Sequence, residues 1–146
     1  MNNKIISKLG FALCLIGAMY LMETDILFSL NPFAISIKIL SVGLMIWSRI
    51  SFGRRSFHAA ADTTEGGLVT NGPYRWLRHP IYTAAIIFFG SCLISDHHIE
   101  VLLCLLLIVL GFLVRINLEE KFLAETYGQE FVEYRSRTQK IIPFIY

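Results

Sequence analysis

Charged side chains are scarce in this chain. Only 16% of its 146 residues are Asp, Glu, Lys or Arg, whereas 55% are hydrophobic, and the formal net charge is +2. So small a positive excess gives no electrostatic footprint for nucleic acid, and so high an apolar fraction is unlike the composition of an average soluble domain. The composition therefore predicts a membrane protein with the lipid bilayer, and not nucleic acid, as its partner.

The chain also has few side chains that close disulfides or hold metals. Its three cysteines, Cys14, Cys92 and Cys104, are odd in number and lie within apolar segments. We therefore expect them to be small hydrophobic residues and not disulfide partners or metal ligands. His97 and His98 stand side by side in a short polar turn, which is weak evidence for a metal site, so the sequence predicts no metal.

Four apolar segments stand out, at about 5–22, 33–50, 80–95 and 99–115. A helix needs about 20 residues to cross the apolar part of a bilayer, and flanking apolar residues extend the shorter segments toward that length. We predict an all-α integral membrane bundle of about four transmembrane helices. A cytoplasmic C-terminal helical segment follows them, and residues 1–146 form a single domain.

The basic residues predict the orientation of these segments. Except for Lys38, every basic residue lies before or near the start of the first segment, at the end of the second or between it and the third, or at the end of the fourth or after it. Acidic residues occupy the two opposite turns. By the positive-inside rule, both termini and the long middle loop are predicted to be cytoplasmic.

The first segment has an alternative interpretation as a secretory signal peptide, because Lys4 and Lys8 precede its apolar run. The residues after it, Met22-Glu23-Thr24-Asp25, contain no small-x-small cleavage site. We therefore expect it to remain a transmembrane helix.

The stretch at 66–82, GGLVTNGPYRWLRHPIY, combines turn residues, aromatics, two arginines and a histidine. Asn71-Gly72-Pro73 indicates a turn, and Pro80 suits the first position of a helix. Arg75 and Arg78, near the N–H groups of that first turn, suggest a seat for a carboxylate or phosphate. The alternative is an interfacial anchor, because Trp, Tyr and Arg also cluster at membrane boundaries.

A second polar stretch, at 115–134, follows the last apolar segment. Arg115 and Glu119 are four residues apart and so share one face of a helix, while Glu120 points about 100° away. A simple i, i+4 ion pair explains this spacing. A guanidinium at the membrane boundary can also hold a substrate carboxylate, and a carboxylate one turn later can accept from the ammonium or hydroxyl groups of a cofactor.

The two stretches LVTNGPYRWLRHPIY and RINLEEKFLAETYGQEFVEYRSR resemble the signature motifs of the isoprenylcysteine carboxyl methyltransferase family. These are membrane enzymes that use S-adenosylmethionine, and the R-H-P-x-Y core also recurs in phospholipid methyltransferases. The resemblance implies that Arg115 positions a substrate carboxylate. It implies that the cofactor contacts lie on Gly66, Gly67, Leu68, Val69, Tyr74, His79, Pro80, Ile81, Tyr82 and Glu119.

The resemblance implies S-adenosylmethionine-dependent methylation of an amphiphilic or lipidated acceptor, with a carboxylate as in isoprenylcysteine O-methylation. A carboxylate acceptor is ionised at neutral pH and needs no general base. This agrees with the sequence, in which no catalytic triad of the nucleophile–base type is recognisable. Two alternatives stay open: a nicotinamide-dependent enzyme like the sterol reductases, which share a related R-H-P-x-Y element, and a non-enzymatic membrane scaffold.

Overall fold

The computed structural model describes residues 3–53 and 67–142, and in that part the chain is helical. The elements are α1 (Asn3–Glu23), α2 (Pro32–Phe52), α3 (Pro80–Gly90), α4 (Cys92–Ser95), α5 (Ile99–Tyr127) and α6 (Gln129–Ser136). Short 3₁₀ turns cover Ile26–Phe28 and Gly72–Arg75. No β-strand occurs in the described residues, which contain one isolated bridge between Leu77 and Gln139. The predicted all-α class is confirmed.

The helix ends lie where the sequence provides caps. The Asn31 side chain accepts from the backbone N–H groups of Phe33 at 3.0 Å and Ala34 at 3.3 Å, and Pro32 begins α2. Pro80 begins α3, as predicted from its fixed φ angle. Gly128, with a φ of 50°, ends α5 and allows the chain to turn into α6.

Within residues 3–53 and 67–142, three helices are long and apolar enough to cross a membrane: Ile5–Glu23, Pro32–Phe52 and Ile99–Tyr127. The third predicted segment, Pro80–Ser95, is shorter and is divided near Ser91 into α3 and α4. Large apolar side chains such as Leu40 and Ile50 are 73% exposed on the outer surface. Such exposure suits a surface in contact with lipid.

Helix α1 packs closely against α5, in the opposite direction. A Cβ on Gly111 would lie 2.4 Å from the Gly10 carbonyl oxygen, so the absence of side chains permits this approach. Along the same seam, Cys14 Sγ donates to the Ile108 carbonyl oxygen at 3.5 Å. All three cysteines are free and buried, as the sequence predicted.

The segment after α5 returns to the loop that precedes α3. Phe131 and Tyr134 of α6 are buried, whereas Val132 is 54% exposed. The Arg78 N–H donates to the Gln139 carbonyl at 2.8 Å, and the Gln139 N–H donates to the Trp76 carbonyl at 2.8 Å. The two polar stretches therefore lie together at one end of the bundle.

Candidate functional site

Arg115 and Glu119 share one face of α5, as their spacing predicts. Arg115 Nη2 lies 3.8 Å from Glu119 Oε1. Both side chains are partly exposed, at 19% and 23%. The pair is therefore accessible and not sealed in the helix bundle.

Tyr82 of α3 joins this pair across the bundle. Its hydroxyl donates to Glu119 Oε1 and accepts from Arg115 Nε at 3.2 Å. The ring of Tyr82 packs against Phe112, with 5.1 Å between ring centroids. We name Tyr82, Arg115 and Glu119 the Glu119 cluster. It brings together three residues that the sequence analysis selected from two separate stretches.

His79 lies between the Glu119 cluster and a second carboxylate. Its Nδ1 is 3.7 Å from Glu119 Oε2, and its Nε2 is 3.4 Å from Glu120 Oε1. The imidazole is buried, and Nε2 has no well-aligned hydrogen-bond partner among the described residues. A buried polar nitrogen with no partner is uncommon in a folded protein and often marks a functional position.

Glu120 was not among the predicted site residues, yet it lies beside three basic side chains, Arg78, His79 and Lys140. Arg78 Nε donates to Glu120 Oε1 at 2.7 Å, and Lys140 Nζ lies 3.6 Å from Glu120 Oε2. Arg78 Nη1 also donates to the carbonyls of Arg135, at 3.2 Å, and Thr138. We name Arg78, Glu120, Thr138 and Lys140 the Glu120 cluster.

This cluster corrects the role expected of Arg78. The sequence suggested that Arg78 helps to form an anion seat at the start of α3. Instead its guanidinium is 8% exposed and is directed to Glu120 and the C-terminal segment. Arg78 therefore fastens the C-terminal segment to the loop that precedes α3.

Tyr74 lies beside the site and has a structural partner of its own. Its carbonyl accepts from the Tyr134 hydroxyl at 2.8 Å, and its ring packs against Phe52 at 5.6 Å. Burial raises the pKa of the Tyr74 hydroxyl well above its usual value, and the nearby Glu119 carboxylate acts in the same direction. Tyr74 is therefore a neutral phenol.

The remaining described cofactor residues of the prediction lie at the start of α3 and in the irregular backbone at 67–69. Pro80 and Ile81 begin α3 directly after His79, and Pro80 is buried. Gly67 has a φ of 79°, which favours glycine, and Leu68 and Val69 follow it as irregular backbone. Gly66 lies outside the described residues.

The described residues fit a cofactor that carries both an ammonium group and hydroxyls. Glu119 offers a partly exposed carboxylate, and His79 Nε2 is a buried polar atom that lies 3.4 Å from Glu120 Oε1 without a well-aligned hydrogen bond. Among the described residues, no group of three or more His, Cys, Asp or Glu side chains is arranged to hold a metal ion.

The sequence is similar to those of known methyltransferases. A family model described as phospholipid methyltransferase matches residues 30–130. A protein-S-isoprenylcysteine O-methyltransferase from Saccharomyces cerevisiae is 34% identical over 82 residues, which cover 53% of this chain and 33% of the yeast protein. Protein-S-isoprenylcysteine O-methyltransferase B from Arabidopsis thaliana is 29% identical over 119 residues, which cover 80% of this chain and 60% of the plant protein.

The chain thus spans between a third and three fifths of the length of these two relatives. The family match covers more than half of the chain and includes the whole of the first polar stretch and residues 115–130 of the second. Together with three membrane-length apolar helices, it identifies an integral membrane protein. The chain belongs to the phospholipid methyltransferase family.

Proposed function

We propose that this protein is an S-adenosylmethionine-dependent methyltransferase that methylates the carboxylate of an amphiphilic, isoprenylcysteine-like acceptor at the membrane boundary. One observation carries the proposal: Tyr82, Arg115 and Glu119, from two stretches far apart in sequence, meet in a partly exposed hydrogen-bonded cluster. Arg115 and Glu119 lie on α5, one of the three described helices of membrane length.

In this proposal Glu119 and His79 hold the cofactor. Glu119 accepts from its ammonium or hydroxyl groups, and His79 supplies a buried imidazole directly beside Glu119. Tyr82 fixes the rotamer of Glu119 by donating to Oε1. The backbone at 66–69, with Tyr74, Pro80 and Ile81, completes the proposed cofactor site.

Arg115 is proposed to hold the acceptor. Its Nε is used by the Tyr82 hydroxyl, and Nη2 is only 3.8 Å from Glu119, so the outer edge of the guanidinium is available to a substrate carboxylate. A guanidinium can bind a carboxylate through two parallel hydrogen bonds, which also fixes its orientation.

When bound, S-adenosylmethionine supplies an electrophilic methyl group on a sulfonium. A carboxylate acceptor is already ionised at neutral pH, so the protein needs no general base. The described side chains therefore serve to hold, align and desolvate the reactants, which accounts for much of the rate in a transfer of this type.

The amphiphilic acceptor follows from the surroundings of the site. Apolar side chains of α1 and α2 are widely exposed on the outer surface, so a lipid tail can reach the end of the bundle from the bilayer. The relatives named above are protein-S-isoprenylcysteine O-methyltransferases, which supports a lipidated carboxylate. The distribution of basic residues supports a cytoplasmic location of this end and of both termini.

The first test is isothermal titration of the purified protein, in lipid nanodiscs, with S-adenosylhomocysteine, the demethylated cofactor product. We expect saturable binding that is lost in Glu119→Ala and His79→Ala and retained in Glu125→Ala, a matched exposed carboxylate on the same helix. Absence of binding by folded wild-type protein, or binding of NADPH in its place, contradicts the proposal.

The acceptor is tested separately by turnover. N-acetyl-S-farnesylcysteine, which carries a free carboxylate, is compared with phosphatidylethanolamine, which offers an amine. Methyl ester formation from the first, with no product from the second, is the expected result. Product from the amine alone keeps the methyltransferase class and removes the carboxylate role of Arg115.

A further inference from the structure

A second polar feature lies outside the Glu119 cluster. It is an open cleft of about 470 Å³, a volume in the range of small-molecule binding sites. Its described lining residues are Thr70, Arg75, Trp76, Tyr134 and Arg137. None of them belongs to the Glu119 cluster, and we name this feature the arginine cleft.

The arginine cleft has no acidic counter-charge among the described residues. Arg75 and Arg137 are both exposed, neither forms a salt bridge with a described residue, and no carboxylate is among the described lining residues. By contrast, Arg78 and Arg115 both have carboxylate partners. Two guanidinium groups that face one cavity without a counter-charge make a site for an anion.

The walls of the arginine cleft are tied together. Arg75 belongs to the turn Gly72–Arg75, and Arg137 follows α6. The Tyr134 hydroxyl donates to the Tyr74 carbonyl at 2.8 Å and so links the two walls. Burial raises the pKa of Tyr134, which therefore stays protonated and keeps donating. The spacing of the two arginines is set by packed structure on both sides.

The cleft lies at the membrane boundary. Trp76 is half exposed and packs edge-on against Trp47, with 6.2 Å between ring centroids. Trp47 stands in the last part of α2, a helix of membrane length that ends at Phe52. Tryptophan side chains favour the level of the lipid headgroups. At the level of the lipid headgroups, the anion most readily available to this cleft is a lipid phosphate.

From these observations we infer that the arginine cleft binds the phosphate group of an anionic phospholipid, at a site separate from the proposed methyl-transfer site. Arg75 and Arg137 contact the phosphate, Thr70 offers a hydroxyl, and Trp76 packs against the glycerol region. The cytoplasmic surface of a membrane is rich in anionic lipid, and each basic residue near it contributes about 1 kcal/mol of attraction.

The test uses purified protein in an uncharged mild detergent, titrated with dihexanoyl phosphatidylglycerol below its micelle concentration. The chain has only two tryptophans, both described above, so their fluorescence reports directly on the cleft. We expect saturable binding that is about 5-fold weaker in Arg75→Gln or Arg137→Gln and about 30-fold weaker in the double variant. Arg75→Lys with Arg137→Lys should keep part of the affinity.

Three controls separate the possible sources of the signal. Arg135→Gln removes an exposed arginine of α6 that does not line the cleft, and it should bind as wild type does. Dihexanoyl phosphatidylcholine, which has the same chains and a neutral headgroup, should bind more weakly. Inorganic phosphate with the same affinity and the same arginine dependence would show a free-phosphate site and overturn the lipid assignment.

The inference fails if phosphatidylglycerol does not bind, or if the folded double variant binds it normally. It also fails if the double variant no longer binds S-adenosylhomocysteine, because the arginine cleft would then be part of the cofactor site. Phosphatidylglycerol binding by a protein that does not bind S-adenosylhomocysteine would contradict the proposed function alone.

Discussion

Two adjacent carboxylates on α5 have opposite surroundings. Glu120 is 9% exposed and lies within reach of Arg78, His79 and Lys140, whereas Glu119 is 23% exposed and contacts Tyr82 and Arg115 at the open side of the bundle. One step along a helix turns a side chain by about 100°, so neighbours in sequence can face a sealed region and an open one.

This difference in exposure distinguishes a carboxylate that stabilises the fold from one that can bind a ligand. A buried carboxylate whose oxygens are already used by protein cations has nothing left for a ligand, and its loss leaves unpaired charges in the interior. A partly exposed carboxylate with a tyrosine and an arginine beside it can exchange those contacts for a ligand. We therefore assign the Glu120 cluster to stability and the Glu119 cluster to the proposed chemistry.

The largest expected effect is on the stability side. Glu120→Ala should lower the free energy of unfolding by about 3 to 5 kcal/mol, because Arg78 would stay buried without its partner. The matched control is Glu125→Ala, since Glu125 pairs with Lys121 at 4.0 Å with both side chains 64% exposed. That exposed pair is worth less than about 1 kcal/mol. Thermal unfolding in nanodiscs measures both, and equal shifts would refute the distinction.

The next effect is on binding. Glu119→Gln keeps the size of the side chain and removes its charge, so the unfolding midpoint should stay near that of the wild type. Affinity for S-adenosylhomocysteine should fall by about 10- to 100-fold, the value of a hydrogen bond to a charged group. Titration calorimetry measures it. If Glu119→Gln lowers the unfolding midpoint but leaves the affinity for S-adenosylhomocysteine unchanged, the roles assigned to Glu119 and Glu120 are reversed.

A third effect divides the Glu119 cluster itself. Arg115→Lys keeps a positive charge but loses the planar fork that pairs with a carboxylate. We expect the KM for a farnesylcysteine substrate to rise by about 10-fold, while S-adenosylhomocysteine binds as before. Steady-state kinetics and titration together test this. If cofactor affinity falls and KM does not change, Arg115 belongs to the cofactor side.

Much of this arrangement was predictable from the sequence. Pro80 predicted the start of α3, because its fixed φ angle and missing N–H suit the first position of a helix. The i, i+4 spacing predicted that Arg115 and Glu119 share a face. The resemblance of two stretches to one family selected Tyr82, although no local rule says that Tyr82 and Glu119 meet.

The role of Glu120 was not predictable in the same way. Its partners Arg78 and Lys140 come from two other parts of the chain, and they meet only because the C-terminal segment returns to the loop before α3. Helical spacing gives the direction of a side chain but not what a distant segment brings to it. The sequence offered one indication: a second glutamate, Glu120, directly follows Glu119, which was a predicted cofactor ligand.

The smallest predicted effect tests whether α1 belongs to the site. Phe11 lies outside the part of the chain that the family model matches, and its ring centroid is 5.8 Å from the Arg115 guanidinium carbon. Such a contact is worth about 0.5 to 1 kcal/mol, so Phe11→Leu should raise the substrate KM by about 2- to 5-fold. S-adenosylhomocysteine affinity should not change. Phe33→Leu, at a 75% exposed position of α2, serves as control, and equal KM values for the two variants would show that α1 supports the bundle without positioning Arg115.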